Sequence, residues 1–374
     1  MRFKTLAGEF GAALSRSVHA LSPRTTMPIL EGVLVEATAG DGDGSGRLTL
    51  VSTDGTMTIT ATVRATVEEG GRIVLPLRLT HDIVRRLPEA ELRATLSEKG
   101  VMSLRCLDSK TSVSGTDASF FPERGESDAA RFMELPQPLI RDMLRQTAFA
   151  MSTDESRKIL TGTLMEVSGG ELRLVALDGF QMAIRSAPAP EGAPEIVAVL
   201  PGRFAQELSK LLGDDPDSRA RFAFGEKRLT VSIEGATIET SLLDGEYIKY
   251  RNILPTEWKT RLSVDRAFLS ECVDRASLMA REAKNNIIKL SISGGVMGIR
   301  SESEIGQTDE EVGVEQEGED LEIGFNVRYV SDALKAIDDE RISLSFISPI
   351  RPCVVKPAEG DGFTYVLLPL RIVS

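Results

Sequence analysis

The chain has 374 residues, of which 41% are hydrophobic and 27% are charged, and its formal net charge at pH 7 is −12. This length predicts two to three domains of ordinary size, and the composition excludes a disordered, collagen-like or mucin-like chain. No run approaches the roughly 18 apolar residues of a membrane-spanning helix, and the start of the chain lacks a signal-peptide core, so we expect a cytosolic protein.

Cysteine and histidine are too few and too scattered to predict a metal site. The cysteines are Cys106, Cys272 and Cys353, and the histidines are His19 and His81. None of their spacings corresponds to a set of zinc ligands. We therefore expect neither a structural metal nor a bound cofactor.

The first third of the chain alternates helical and strand patterns. Helical periodicity around residues 10–21 precedes alternating strands, for example at 48–50, and an Asp-Gly turn at 54–55. An apolar strand at 73–75 then leads into a second helical pattern. The acidic, glycine-rich stretch at 38–46 predicts an insertion in a hairpin, and it lacks the regular oxygen ligands and closing Glu of an EF-hand loop.

The same order of patterns recurs twice more. The segment at residues 75–87 matches those at 200–212 and 325–337, and each copy lies 125 residues after the one before. In the first copy Leu79, Ile83 and Leu87 have the i, i+4, i+8 spacing of an amphipathic helix, so we expect this stripe to face the core. The equivalent stripes comprise Phe204, Leu208 and Leu212, and Tyr329, Ala333 and Ile337.

This repeat predicts three similar domains, at residues 1–125, 126–255 and 256–374. The second and third copies also open with a helical pattern, around 139–149 and 268–278. Most of the remaining sequence has the pattern of short strands separated by Gly, Asp and Asn turns. We therefore predict an α+β fold in which each domain packs two helices on antiparallel sheet.

The repeated second helices carry cations at two equivalent positions: Arg78, Arg203 and Arg328 at the first, and Arg85, Lys210 and Lys335 at the second. The two positions are seven residues apart, close to two helical turns, so both cations lie on one face of the helix. On a single helix such cations are ordinarily solvated surface, but the threefold repetition favours a function. Three units joined edge to edge would line one curved surface with positive charge, which suits sequence-independent binding of duplex DNA inside a ring.

The negative charge is concentrated elsewhere in the sequence. Ten acidic residues and no Lys or Arg lie between Glu302 and Glu322. We interpret this run as a solvated strand-and-loop surface rather than a docking site for a basic partner. Acidic residues on the other surfaces would repel DNA.

Over essentially its full length the chain resembles the beta sliding clamp of bacterial DNA polymerase III. The resemblance rests on Met1-Arg2-Phe3 and on the segments at residues 24–30, 174–179, 324–330 and 365–371. It implies the DNA clamp fold, with two chains of three domains closed head to tail into a six-domain ring. It also implies a processivity factor that is not itself an enzyme. Its partners would be duplex DNA, a second copy, DNA polymerase subunits, the clamp loader, and repair and translesion polymerases, with no membrane.

The family docks short partner peptides in a pocket between its second and third domains. Carried over by position, the pocket would comprise Leu160, Leu177, Gly179, Met182, Ile248, Ile253, Ile350, Pro352, Val366, Leu368, Pro369, Leu370 and Arg371. Most of these residues are apolar, as a pocket for the Leu and Phe side chains of a peptide requires.

The chain departs from the family pattern at the rim of this pocket. Phe180 and Gln181 replace a common His-Arg pair, Asn252 replaces a common Arg, and Ile248 replaces a Pro. These changes remove cations, so we expect weaker attraction to acidic residues that flank a bound peptide. They are typical of a divergent or second-copy clamp.

The resemblance also implies contacts with DNA and between subunits. Arg24 and Lys158 match DNA-contacting positions, although Asp154 and Ile159 replace a polar residue and an aromatic in the loop of Lys158. For ring closure, Leu278 and Met279 match an apolar pair that meets the first domain of the partner. The facing patch is expected at Thr111 and Val113.

Two other functions compete with this interpretation. The first is an enzyme that uses Asp54 and Asp178 with Glu31 or Glu166 as an acid–base pair, although equivalent residues of distant repeats rarely share one site. The second is a clamp-like protein that binds partners and no longer encircles DNA, against which the repeated cations argue.

Overall fold

A computed structural model of the chain describes residues 1–22, 27–40, 45–123, 129–283 and 285–372. Within these ranges the α-helices form three pairs along the chain, one pair per repeat. The helices are α1 (Ala7–Val18), α2 (Leu77–Val84), α3 (Gln137–Ala148), α4 (Gly202–Leu211), α5 (Arg266–Glu282) and α6 (Val327–Ala336).

The strands of the described residues lie before, between and after the helices of each pair. In chain order they are β1 (Arg2–Leu6), β2 (Gly32–Ala39), β3 (Ser45–Thr53), β4 (Met57–Glu69), β5 (Gly71–Pro76), β6 (Glu91–Leu96), β7 (Val101–Cys106), β8 (Ser109–Ser114), β9 (Arg131–Pro136), β10 (Gly162–Ser168), β11 (Glu171–Leu177), β12 (Gln181–Pro188), β13 (Ile196–Pro201), β14 (Arg219–Phe224), β15 (Arg228–Ile233), β16 (Ala236–Ser241), β17 (Thr260–Asp265), β18 (Ile287–Ser293), β19 (Val296–Ser303), β20 (Gly306–Gly313), β21 (Glu315–Gly318), β22 (Leu321–Asn326), β23 (Arg341–Phe346), β24 (Cys353–Pro357) and β25 (Phe363–Leu367).

The chain divides into two compact units. Unit 1 comprises Met1–Pro138 and Lys210–Leu242, and unit 2 comprises Leu139–Ser209 and Leu243–Ser374. Helix pairs recur with antiparallel strand pairs, as in β1–β4, β10–β11 and β18–β19. The predicted α+β fold is therefore confirmed, including the strand at residues 48–50. Among the described helices, none combines the length and the apolar character that crossing a membrane would require.

Unit 1 is built on one twelve-stranded sheet. Its main path runs β8-β7-β6-β1-β4-β16-β15-β14-β9, and β3 pairs with β4 while β2 pairs with β3 and β5. Helices α1 and α2 bury Phe10, Leu14 and Leu77 in a core with Leu48 and Leu50 of β3. Each such buried side chain contributes about 2 kcal/mol of transfer free energy to stability. Strand β8 is left at one edge of the sheet.

The buried face of α2 differs from the predicted stripe. Leu79 is 54% exposed, and Leu77, Thr80 and Val84 face the core instead. The prediction for Leu79 is therefore wrong. In this eight-residue helix, apolar residues at 77, 79, 83 and 84 satisfy more than one helical register, and packing against α1 and the sheet selects the register that starts at Leu77.

The stripe of α4, which comprises Phe204, Leu208 and Leu212, is buried as predicted. In the stripe of α6, Ala333 and Ile337 are buried, and Tyr329 is partly buried against the same core.

Unit 2 contains two sheets. The nine-stranded sheet has the order β13-β10-β11-β12-β25-β24-β23-β17-β21, and the four-stranded sheet has the order β20-β19-β18-β22. Helices α5 and α6 pack Leu269, Val273 and Leu334 into a core between strands of both sheets. Strand β12 pairs with β25, with Met182 opposite Val366. This pairing brings the chain after β11 beside the C-terminal segment.

The predicted Asp-Gly turn at residues 54–55 is present, and residues 178–179 form an equivalent turn. Gly55 and Gly179 have φ values of 92° and 100°, in the region that glycine adopts without strain. Asp54 accepts hydrogen bonds from the backbone N–H of Met57 at 2.8 Å, and Asp178 accepts from those of Phe180 and Gln181 at 2.7 and 2.9 Å. Both carboxylates therefore stabilise tight turns between paired strands.

Candidate functional site: an apolar patch and the cavity beside it

Four residues of the predicted pocket lie together in unit 2. Leu160, Leu177, Met182 and Val366 are each no more than 4% exposed and belong to one cluster. The sheet explains the grouping, because Leu177 pairs with Met182 between β11 and β12, and Met182 pairs with Val366 between β12 and β25. These side chains form the floor of an apolar patch.

Other predicted pocket residues are open to solvent. The large apolar ones are 39–71% exposed: Ile248, Ile253, Ile350 and Leu368. Gly179 and Arg371 are also exposed, and Pro352, Pro369 and Leu370 are partly buried. Leu368 donates its backbone N–H to Phe180 O at 2.9 Å, and Leu370 donates to Gly324 O at 2.8 Å. The C-terminal segment is thus held against β22 and the turn before β12.

Two tyrosines that the sequence did not single out complete the patch. Tyr247 and Tyr250 are buried in the same cluster, on the segment that carries Ile248 and Ile253. Burial of its ring, with the neighbouring Glu166 carboxylate, raises the pKa of Tyr250 to about 12, so its hydroxyl remains a donor at neutral pH. Two tyrosines three residues apart in a loop form no periodic pattern, so the sequence alone does not distinguish them from surface residues.

The segment is anchored by Glu166 of β10. Its carboxylate accepts from the Tyr250 hydroxyl at 2.8 Å and from two nitrogens of Arg251 at 2.6 and 3.2 Å. Burial acts to raise the pKa of Glu166, but the hydrogen bonds from Arg251 and Tyr250 outweigh it and hold the pKa below its ordinary value. The Glu166 side chain is 14% exposed, so these donors, rather than water, stabilise most of its negative charge.

A cavity of about 870 Å³ lies in unit 2 beside the turn at Asp178–Gln181, lined by Phe149, Asp154, Arg157, Phe180, Gln181, Arg203, Arg328, Tyr329 and Asp332, among others. The rings of Phe180 and Tyr329 are stacked, with centroids 6.2 Å apart and an interplanar angle of 14°. Phe180 is nevertheless 53% exposed. Phe180 therefore presents an exposed aromatic ring at this wall of the cavity.

Gln181 is buried at the wall of the cavity, and one of its polar atoms has no hydrogen-bond partner. Its Nε2 donates to Phe149 O at 3.4 Å and to Asp178 Oδ2 at 3.3 Å. Its Oε1 is buried and has no hydrogen-bond partner. Such an orphaned acceptor costs stability unless a donor reaches it.

The predicted DNA-contacting cations lie at or near helices wherever the structure describes them. Arg78 is in α2 and Arg85 directly follows it, while α4 carries Arg203 and Lys210 and α6 carries Arg328 and Lys335. Lys158 is exposed in a 3₁₀ segment at Glu155–Thr161. Arg24 lies outside the described residues.

Three of these cations form exposed ion pairs. Arg85 lies 3.0 Å from Asp82, Arg328 lies 3.6 Å from Asp332, and Lys335 lies 3.4 Å from Asp274. Each cationic side chain is more than half exposed, so the pairs contribute little to stability.

The residues predicted for ring closure differ in their exposure. Leu278 is 66% exposed on α5, and Met279 next to it is partly buried and accepts a hydrogen bond from Ser303 Oγ at 2.8 Å. Thr111 is partly exposed on β8. Val113 is only 2% exposed and points into the core of unit 1, so the prediction that it offers surface to a partner is wrong. Thr111 and Val113 are two residues apart, so both lie on the same face of β8, and only Val113 is fully buried there.

Models of three protein domains match the chain in order. They are the N-terminal domain of the DNA polymerase III beta subunit over residues 1–124, the central domain over 134–249 and the C-terminal domain over 251–371.

Individual relatives match along their whole length. A "Beta sliding clamp" of Staphylococcus aureus is 31% identical, and one of Staphylococcus epidermidis is 30% identical, with 99% of each chain covered in both comparisons. Among solved structures, the DNA polymerase sliding clamp of Bacillus subtilis has a TM-score of 0.91 at 30% identity and full coverage of both chains. The beta subunit of Thermotoga maritima has a TM-score of 0.91 at 26% identity, also with full coverage.

Proposed function

Since the chain belongs to the DNA polymerase III beta subunit family, the beta sliding clamps, we propose that two copies close head to tail into a ring around duplex DNA. The observation that carries this proposal is the order of three domain models over residues 1–371, matched by three helix pairs on antiparallel sheet. We place the domain boundaries near residues 125 and 255. The ring acts in the cytosol as a processivity factor without a catalytic centre of its own.

The proposed ring closes between two edge strands. Strand β8 ends the sheet of unit 1 and β20 ends the four-stranded sheet of unit 2, so each presents backbone groups that a second chain can pair with. Lys110 on β8 would meet the exposed Asp309 and Glu311 on β20 of the partner. Leu278 would supply an apolar contact beside this strand pair.

The proposed DNA contacts are the cations of the second helices together with Arg24 and Lys158. Their contacts with phosphate need no base recognition, which allows the ring to slide along any sequence. Because the ion pairs of Arg85, Arg328 and Lys335 are exposed, these side chains can exchange a carboxylate for a phosphate.

The proposed tether is the apolar patch. Its buried floor and exposed rim residues, among them Ile253 and Leu368, suit the Leu and Phe side chains of a partner peptide. The partners are DNA polymerase subunits, the clamp loader, and repair and translesion polymerases. A polymerase held in this way stays on its template for longer.

Loading on circular DNA tests the proposal. Protein loaded by its cognate clamp loader onto a nicked circle should co-elute with the DNA in gel filtration and should be released when a restriction enzyme linearises the circle. Catalytically inactive restriction enzyme provides the control. Equal retention on linear and circular DNA, or no retention on either while polymerase peptides still bind, would contradict encirclement and favour a clamp-like protein that only binds partners.

A further inference from the structure

The cavity meets the proposed peptide pocket at Phe180. Phe180 O accepts a hydrogen bond from the backbone of Leu368, a rim residue of the patch, while the Phe180 ring stacks on Tyr329 inside the cavity. A peptide seated on the patch can therefore reach this cavity where it passes Phe180.

We propose that the cavity is a second subsite that takes the guanidinium of an arginine flanking the apolar anchor of a partner peptide. This inference rests on the proposed peptide pocket. The arginine side chain lies flat against the exposed face of Phe180 and donates an N–H to the orphaned Oε1 of Gln181.

The first argument is the unused acceptor. Gln181 is 5% exposed, and its amide orientation is set because Nε2 faces two acceptors, Phe149 O and Asp178 Oδ2. Exchanging the amide atoms would bring its oxygen against those two oxygens, so the buried Oε1 is the atom that lacks a partner. A ligand that satisfies it must bring an N–H or O–H donor.

The second argument is the aromatic platform. Phe180 is stacked on one side by Tyr329 and is 53% exposed overall, so a planar group can lie on its other face. Guanidinium groups combine a planar surface, a positive charge and several N–H donors, and they stack on aromatic rings. An ammonium group lacks the planar surface, and a carboxylate lacks the donor.

The third argument is the charge around the stack. The cavity wall carries four carboxylates, Asp154, Glu155, Asp178 and Asp332, against the three guanidinium groups of Arg157, Arg203 and Arg328. Arg157 and Arg328 are already paired with Asp154 and Asp332. Burial raises the pKa of the Tyr329 phenol, and the Asp178 carboxylate adds to this effect while Arg328 opposes it. The wall thus carries one carboxylate more than it carries guanidinium groups.

The test is a set of fluorescent peptides with one Leu-Leu-Phe anchor. A test position two residues before or two residues after the anchor carries Arg, Lys, Ala or Glu, and binding to the full chain is followed by anisotropy. At one of the two positions we expect the Arg peptide to bind about tenfold more tightly than the Ala peptide, the size of a buried charge-assisted hydrogen bond, with Lys between them and Glu weakest.

Variants assign the effect to named atoms. Gln181→Met keeps the side-chain volume without the acceptor, and Phe180→Leu removes the aromatic face. Each should bring the ratio of Arg to Ala affinities close to one. Gln206→Met changes a glutamine at the same cavity that is exposed to solvent, so it should leave the ratio unchanged. Fluorescence of Trp258, the single tryptophan, checks that each variant is folded.

The outcomes separate this inference from the proposed function. Equal affinities for all four peptides, or an arginine preference that survives Gln181→Met, would contradict the subsite alone. Failure of every peptide to bind would contradict both the pocket and the subsite. Tight binding of an oligothymidylate that is lost in Phe180→Leu, without an arginine preference, would assign the aromatic surface to single-stranded nucleic acid instead.

Discussion

At the scale of single residues, Glu166 shows how one carboxylate positions the rim of the apolar patch. Three hydrogen bonds from Tyr250 and Arg251 converge on it. They fix the segment on which Tyr250 enters the buried cluster while Ile253 remains exposed. The binding surface therefore depends on a side chain that no peptide is expected to touch.

Replacing this carboxylate should weaken both folding and peptide binding. Glu166→Gln removes the charge from a side chain that is mostly buried, so we expect the free energy of unfolding in urea to fall by about 2 kcal/mol. Peptide affinity should fall several-fold, because the rim segment loses its anchor. Glu246→Gln is the matched control, since Glu246 forms only an exposed 3.9 Å pair with Lys249.

The effect of Glu166→Gln should depend on pH with a defined sign. The pKa of Glu166 is lowered in the folded chain, so its ionised form stabilises the fold fully above the pKa of the unfolded side chain, about 4.3. This stabilisation is lost as the pH falls through the lowered value. The difference in unfolding free energy between the two proteins should be constant from pH 7 to 5 and should shrink towards pH 3. A difference that grew on acidification would contradict the assigned role.

At the scale of elements, the second helices should govern retention on DNA. Changing Arg78, Arg203 and Arg328 to Glu should shorten the lifetime on a closed circle by about tenfold or more at moderate salt, because several phosphate contacts are lost together. Changing the exposed strand residues Arg93, Arg219 and Arg228 to Glu makes the same change in net charge and should have little effect. If both triple variants behaved alike, net charge rather than the helices would control retention.

The C-terminal segment should be essential to peptide binding. Truncation after Pro369 removes Leu370, whose backbone holds the segment against Gly324 of β22. We expect this truncation to abolish binding of a polymerase peptide in calorimetry. Truncation after Arg371 removes only the last three residues and should retain most of the affinity. Full affinity in the shorter protein would show that the patch is misplaced.

Much of this element-level description could be predicted from sequence, because the repeat gives each helix and strand three independent instances. Leu79 was misassigned because a short helix with adjacent apolar residues admits two registers. Val113 was misassigned because resemblance locates a strand but not which face of it is buried. The contact of Glu166 with Arg251 joins residues 85 apart and leaves no local pattern. The Phe180–Tyr329 stack likewise depends on tertiary packing.

At the scale of the whole molecule, dimerisation should depend on the exposed apolar residue of α5. Leu278→Asp places a carboxylate where the partner is expected to pack, beside the acidic β20, and should shift the protein to monomer in sedimentation velocity at micromolar concentration. Val197→Asp makes the same change at a residue that is equally exposed on β13, and it should leave the dimer intact. If the wild-type chain itself sedimented as a monomer, that result alone would contradict ring closure.

The most direct test of encirclement is to lock the proposed ring covalently around DNA. Thr111→Cys and Leu278→Cys place thiols on the two surfaces that are proposed to meet, and a flexible bismaleimide joins them after loading onto a plasmid. The native cysteines Cys106, Cys272 and Cys353 are buried, so we expect the bismaleimide not to react with them. We predict that the crosslinked protein stays on the closed circle through denaturing electrophoresis and is released when the plasmid is linearised. Protein that leaves the circle in detergent despite complete crosslinking at both closures would contradict encirclement.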